Sequence, residues 1–197
     1  MELQHLVVKI PVDGALGIDP AKVVDIFHRW VATQSVPGVL LIDVAELLHV
    51  PDGPGVIAVG FEADFALDHT DGTWGVLYRR KTLSAGSNAD RLKQAFAAAA
   101  DTAAQLEAAF PGALKFSRTE LEIIINDRGI APNTPATFQA ALPEIEAGLV
   151  ATLGQSGFHV TAGDPEPRKR FSVKVKAKQP FSLKAPAASE PVTGRGY

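Results

Sequence analysis

The sequence predicts an α+β fold: a mixed, largely antiparallel sheet packed against about three helices, with an extended C-terminal tail. Three observations carry this. Strand-like and helical segments do not alternate regularly, as a doubly wound fold would require. Asp71–Gly72 between two strand-like runs marks a hairpin. From residue 180 the chain turns to Pro, Ala, Ser and Gly and has little to bury. Residues 1–179 therefore read as a single domain, and 180–197 as a flexible or partner-bound tail.

Residues 5–12 alternate as a first strand, followed by a Gly-rich turn at 13–17. Asp19 is placed to cap a helix with Pro20 at its first position. Val23, Ile26, Phe27, Trp30 and Val31 recur at helical spacing and form its buried face, and Pro37 and Gly38 end it. Residues 39–45 read as a short strand buried on both sides, and PDGPG at 51–55 as a turn. Residues 56–67 read as one strand, with Ile57, Val59, Phe61, Phe65 and Leu67 on one face and Glu62 and Asp64 on the other. With Asp71 and Gly72 at the centre of the turn, Asp64 falls opposite Arg79, Glu62 opposite Lys81 and Phe65 opposite Tyr78.

Residues 88–110 form the longest helix, opened by a capping box of Ser87 and Asp90 and striped by Leu92, Phe96, Ala99, Ala103, Leu106 and Phe110. Pro111 and Gly112 stop it, and the alanines at 97–100 permit close packing. Residues 114–126 read as a strand. Thr134 and Pro135 open a third helix to about residue 153, kinked or restarted at Pro143. Residues 158–162 and 171–178 complete the strands.

At 197 residues with 46% hydrophobic content, the chain can bury a real core. Its longest apolar runs are far shorter than the roughly 20 residues of a membrane helix, so no membrane insertion is expected. The N-terminus alternates like a strand and not like a signal peptide, which points to a cytoplasmic protein. The absence of cysteine excludes disulfides, thiolate metal sites and a cysteine nucleophile. A net charge of −3 argues against general nucleic-acid binding.

LEIIINDRGIAPNTP at 121–135 stands out, because a buried run surfaces directly into Asn126, Asp127 and Arg128. Arg128 suits a carboxylate or phosphate and Asp127 a base. Structurally, Asn and Asp satisfy loop backbone groups equally well, and this reading outweighs the first. His49 follows Asp43 and precedes a Pro/Gly loop, so it joins the candidates as a general base. His5, His28, His69 and His159 are scattered, with no HExxH or HxH spacing. Glu62, Asp64 and Asp68 could form an acidic site, but pairing with Arg79 and Lys81 explains them more simply. No GxSxG, SxxK, GxGxxG or Walker sequence occurs, and no metal or cofactor is expected.

The segment RKRFSVKVKAK places Phe171, Val173 and Val175 on one face and Lys174, Lys176 and Lys178 on the other. With Arg168, Lys169 and Arg170 it forms a basic strip for an acidic protein surface, a nucleic acid or an anionic lipid. The bland reading is an edge strand guarded by lysines. In the tail, Phe181, Leu183, Val192 and Tyr197 are expected to anchor on a partner, with Lys184 and Arg195 at acidic rims. The tail is expected to be mobile alone and ordered on that partner.

FHRW at 27–30, LLIDVA at 40–45, GPGV at 53–56, EADFALD at 62–68, LYRRK at 77–81 and INDRGIAPNT at 125–134 together resemble a family of small uncharacterised bacterial proteins. The resemblance covers about residues 5–155 and leaves the basic strand and tail outside. It implies a bacterial cytosolic setting and transfers no catalytic residue.

The sequence thus favours a non-catalytic accessory or structural subunit that binds another protein in a bacterial assembly. Its expected partner-binding residues are Arg168, Lys169, Arg170, Lys174, Lys176, Lys178, Phe181, Leu183 and Tyr197. The alternative is a small enzyme whose site gathers His49, Asn126, Asp127 and Arg128. Nucleic-acid binding through the basic strand comes third, and homo-oligomerisation is left open.

Overall fold

The structure is a computed structural model and describes residues 1–183. Its elements run β1 (Leu6–Pro11), α1 (Lys22–Thr33), β2 (Leu41–Leu47), β3 (Gly55–Gly60), β4 (Ala63–Asp68), β5 (Gly75–Arg80), α2 (Asn88–Ala109), β6 (Glu120–Ile125), α3 (Pro135–Leu153), β7 (His159–Ala162) and β8 (Phe171–Lys176). The strands form one 8-stranded sheet in the order β2-β3-β4-β5-β1-β6-β8-β7. Every pairing is antiparallel, so the α+β class holds and the sheet contains no parallel pair.

All three helices pack on one face of the sheet. Val8, Ile10, Phe65, Leu67, Val76, Tyr78, Ile123, Phe171 and Val173 share a core with Val23, Phe27 and Trp30 of α1, Leu92, Phe96 and Leu106 of α2, and Ile145 and Leu149 of α3. Helix α1 covers β2 and β3, α2 covers β1 and β5, and α3 lies against α2 and reaches β7. The capping box forms as expected: Asp90 N–H donates to Ser87 Oγ at 3.2 Å, and Ser87 N–H donates to Asp90 at 2.9 Å. Helix α3 runs through Pro143, whose missing N–H leaves the exposed carbonyl of Gln139 to water. Among the described residues no helix is long and apolar enough to cross a membrane.

The hairpin register is the expected one, with Asp64 opposite Arg79 and Phe65 opposite Tyr78. Asp71 and Gly72 both take positive φ, 61° and 73°, as a tight strand reversal demands. Three expectations are corrected. Residues 56–67 are two strands and not one, because the chain reverses at Phe61 and Glu62; Ile57 therefore lies on the face opposite Phe65 and Leu67. Segment 39–45 is not buried on both sides: β2 is an edge strand, with Leu40, Ile42 and Asp43 exposed. The lysine-bearing β8 is not an edge strand, since β6 and β7 flank it.

The expected domain boundary at 179 falls short of the packed chain. Phe181 N–H donates to the Arg118 carbonyl at 2.7 Å, and its ring meets Phe96 edge-on at 5.4 Å. Phe181 and Leu183, expected as partner anchors, are 5% and 4% exposed and belong to this chain's own core. Tyr197, Val192, Lys184, Arg195 and the expected mobility of the tail lie outside the described residues.

Candidate functional site

Among the described residues no helix packs on the opposite face of the sheet. Strand alternation sends Val7, Ala66, Leu77 and Ile124 to it, where they form a small second cluster with Ile57 beside them. Lys9, Asp64, Asp68 and Ser172 are buried on the same face. Part of this face is covered by a strap. Residues 163–170, which join β7 to β8, reach back across the face. Lys169 Nζ donates to Asp71 at 2.7 Å and to Asp164 at 2.9 Å. Asp71 lies on the β4–β5 connection, and β1 and β6 separate β5 from β8 in the sheet. Three strand spacings on a flat sheet would amount to about 14 Å. The strap therefore reaches back over β6 and β1 to make this ion pair, and it forms one wall of a groove of about 1230 Å³.

The strap has a fixed side. Asn133 Nδ2 donates to the carbonyls of Asp164 and Glu166, both at 2.8 Å. The Glu166 N–H bonded to Asp164, reinforced by Lys169, holds the Asp164 carboxyl below its ordinary value. Asp71 and then Asp164 push the Lys169 ammonium up. Lys169 is thus a firmly charged latch between the strap and the β4–β5 connection.

On the groove floor half-buried Glu122 lies in register between Lys9 and Lys174, and Lys9 itself is held by Asp68. Lys9 Nζ donates to Asp68 Oδ2 at 2.5 Å and to the Thr70 carbonyl at 3.1 Å. Asp68 also accepts from the Thr70 hydroxyl at 2.6 Å and the Thr70 N–H at 3.1 Å. Further along the face, Asp64 accepts from Arg79, from Lys81 at 2.8 Å and from the Gly60 N–H at 3.1 Å. Glu62 does fall opposite Lys81, its carbonyl accepting from the Lys81 N–H at 2.9 Å, but its carboxylate accepts from the Leu40 N–H at 3.2 Å and not from the Lys81 ammonium. The row Glu62, Asp64, Asp68 consequently diverges to three different partners. Among the described residues no group of three or more His, Asp or Glu is placed to hold a metal ion.

Arg128, Arg168, Lys169, Arg170, Lys174 and Lys176 line the groove. Lys176 pairs with Glu120 at 3.1 Å, and Arg170 Nη1 donates to Asn126 Oδ1 at 3.4 Å. Lys178 stands outside it, exposed, beside Gly157. Asp127 organises its own loop, accepting from the N–H groups of Gly129 at 2.9 Å and Ile130 at 3.1 Å. His49 is exposed on the turn after β2, and β3, β4, β5 and β1 lie between β2 and β6. The structure therefore keeps Asn126, Asp127 and Arg128 together but leaves His49 apart, and this set encloses no common site.

Sequence reasoning missed Lys9, Asp71, Asp164 and Asn133. Lys9 carried a readable signal: a lysine inside the strand LVVKIP, in phase with Val7, must find a partner on that face. The strap carried none, because its path is set by Asn133 and Asp71, which lie far from it in the sequence. No protein-family model matches the chain, and no curated protein matches it.

Proposed function

We propose that the chain is a non-catalytic accessory subunit that binds another protein in the groove on its helix-free face. The observation that supports this reading is the contrast between floor and rim. Beneath the groove Lys9 pairs with Asp68, and Lys174 and Lys176 stand in register with Glu122 and Glu120 of β6, whereas Arg128, Arg168 and Arg170 on the rim make no ion pair among the described residues. Such a surface attracts a negatively charged partner and steers its approach without needing a large apolar interface. At about 1230 Å³ the groove exceeds the usual 300–1,000 Å³ of small-molecule pockets and suits a polypeptide segment.

Under this proposal the basic strand binds through the helix-free sheet face. Phe181 and Leu183 contribute by holding the fold, not by touching the partner. The test is co-purification from a bacterial extract with the double variant Arg170→Glu/Lys174→Glu. A stoichiometric partner kept by the wild type and lost by the folded variant supports the reading; equal retention contradicts it.

A further inference from the structure

Two kinds of cation rim the groove. Lys169 is held by the carboxylates of Asp71 and Asp164. Arg128, Arg168 and Arg170 make no ion pair among the described residues, whereas Lys174 stands in register opposite Glu122 of β6. Lys174 and Lys176 occupy alternate positions of β8 on one face, about 6.6–6.8 Å apart along the strand. The extended chain laid alongside them is β6, whose Glu122 and Glu120 answer that spacing, so the cations left for a partner are the arginines and the exposed side of Lys169. Among the described residues neither Phe, Tyr nor Trp lines the groove, so single-stranded nucleic acid finds no ring there on which to stack its bases. The chemistry that gains here is a segment whose carboxylates reach Arg128, Arg168, Arg170 and Lys169.

We infer that the partner, on the reading proposed above, presents an extended acidic segment, and that Asp71 holds the place of one of its carboxylates on Lys169 in the free protein. Asp71 suits the role of a stand-in. It is exposed at a turn tip, comes from a connection remote from the strap, and bonds through its side chain to Lys169. Asp164, by contrast, is built into the strap, accepting from the Glu166 N–H at 2.9 Å while its carbonyl takes Asn133. Exchange therefore occurs on the Asp71 side. An incoming carboxylate replaces Asp71, the strap parts from the β4–β5 connection, and the groove opens along its length.

The test uses a fluorescein-labelled peptide of alternating Glu and Thr, read by anisotropy on the full chain, with a matched Lys–Thr peptide and an oligothymidylate as controls. Asp71→Asn keeps a residue that tolerates the left-handed backbone while removing the competing charge. It should tighten binding of the acidic peptide about 1.5- to 5-fold, the range of an exposed ion pair. Lys169→Gln should weaken binding, and Asp71→Asn added to it should have no further effect. Amide exchange over residues 164–169 should rise in Asp71→Asn. Acidic-peptide binding that is unchanged or weaker in Asp71→Asn, or unaltered exchange of the strap, overturns the stand-in while leaving the groove reading intact. An acidic peptide that binds no variant, or tighter binding of oligothymidylate, overturns the acidic partner. The groove reading itself is judged separately by the co-purification of Arg170→Glu/Lys174→Glu.

Discussion

Lys9→Met should be among the more destabilising single changes on the helix-free face. The Lys9 and Asp68 side chains are 6% and 3% exposed and meet at 2.5 Å. Methionine preserves most of the packed stem but leaves the Asp68 carboxylate with Thr70 alone. Removing one partner of a buried pair costs about 3–5 kcal/mol, because the remaining charge stays desolvated. For a domain of this length that corresponds to a fall in Tm of roughly 6–20 °C. The double variant Lys9→Met/Asp68→Val should recover most of the loss, since no buried charge is left and half-buried Thr70 can turn to water. Urea unfolding followed by far-UV circular dichroism measures the wild type, the two single variants Lys9→Met and Asp68→Val, and the double variant. A loss below about 1 kcal/mol in the single variant would mean the pair is solvated. A double variant as unstable as the sum of the singles would also refute the reasoning.

Phe181→Ala should destabilise by about 3–5 kcal/mol through loss of its core contact with Phe96, measurable by the same unfolding curves; an effect near zero would return the residue to the surface. Gly55→Ala combines a positive φ of 66° with a Cβ 2.2 Å from the Leu67 carbonyl oxygen. It should cost about 2–6 kcal/mol or prevent folding, scored by soluble yield and Tm. Gln34→Ala removes the side chain that accepts from the Leu41 N–H at 3.0 Å and donates to the Leu41 carbonyl at 2.8 Å. The uncovered β2 edge should then self-associate, visible as a concentration-dependent sedimentation coefficient; a strictly monomeric variant would contradict this. Hydrogen bonds from Ser87 hold Asp90 below its ordinary value of 3.8. Because the folded pKa is the lower one, the stabilisation is complete above 3.8 and is lost as pH falls through the folded value. Asp90→Asn should flatten the stability profile on that acid limb, as acid titration of unfolding will show.

The parts of the fold legible in the sequence are those set by local chemistry. The Asp71–Gly72 turn and the match of Phe65 with Tyr78 fix one register, and Ser87 with Asp90 fixes the start of α2. The reversal at Phe61 and Glu62 was hidden, because Ile57, Val59 and Phe61 continue an alternation that Phe65 and Leu67 take up without a gap. Gly60 was the missed signal. A Cβ there would lie 2.4 Å from the Ala63 carbonyl oxygen, so the turn closes only on glycine. The basic strip was legible as composition, and five of its cations line the groove. The groove was not, because Lys169 and Asp71 meet only through the strand order of the sheet, across a long separation in sequence.

A backbone amide NMR titration of the full chain with the Glu–Thr peptide tests the central claim most directly. The account predicts shifts concentrated at Ile124, Gly163, Ser172, Lys174 and the Asp71 connection, with the amides of α1 and α2 unmoved and the whole pattern weakening as salt is raised. Shifts confined to the helical face, or none at peptide concentrations that saturate comparable basic grooves, would contradict it.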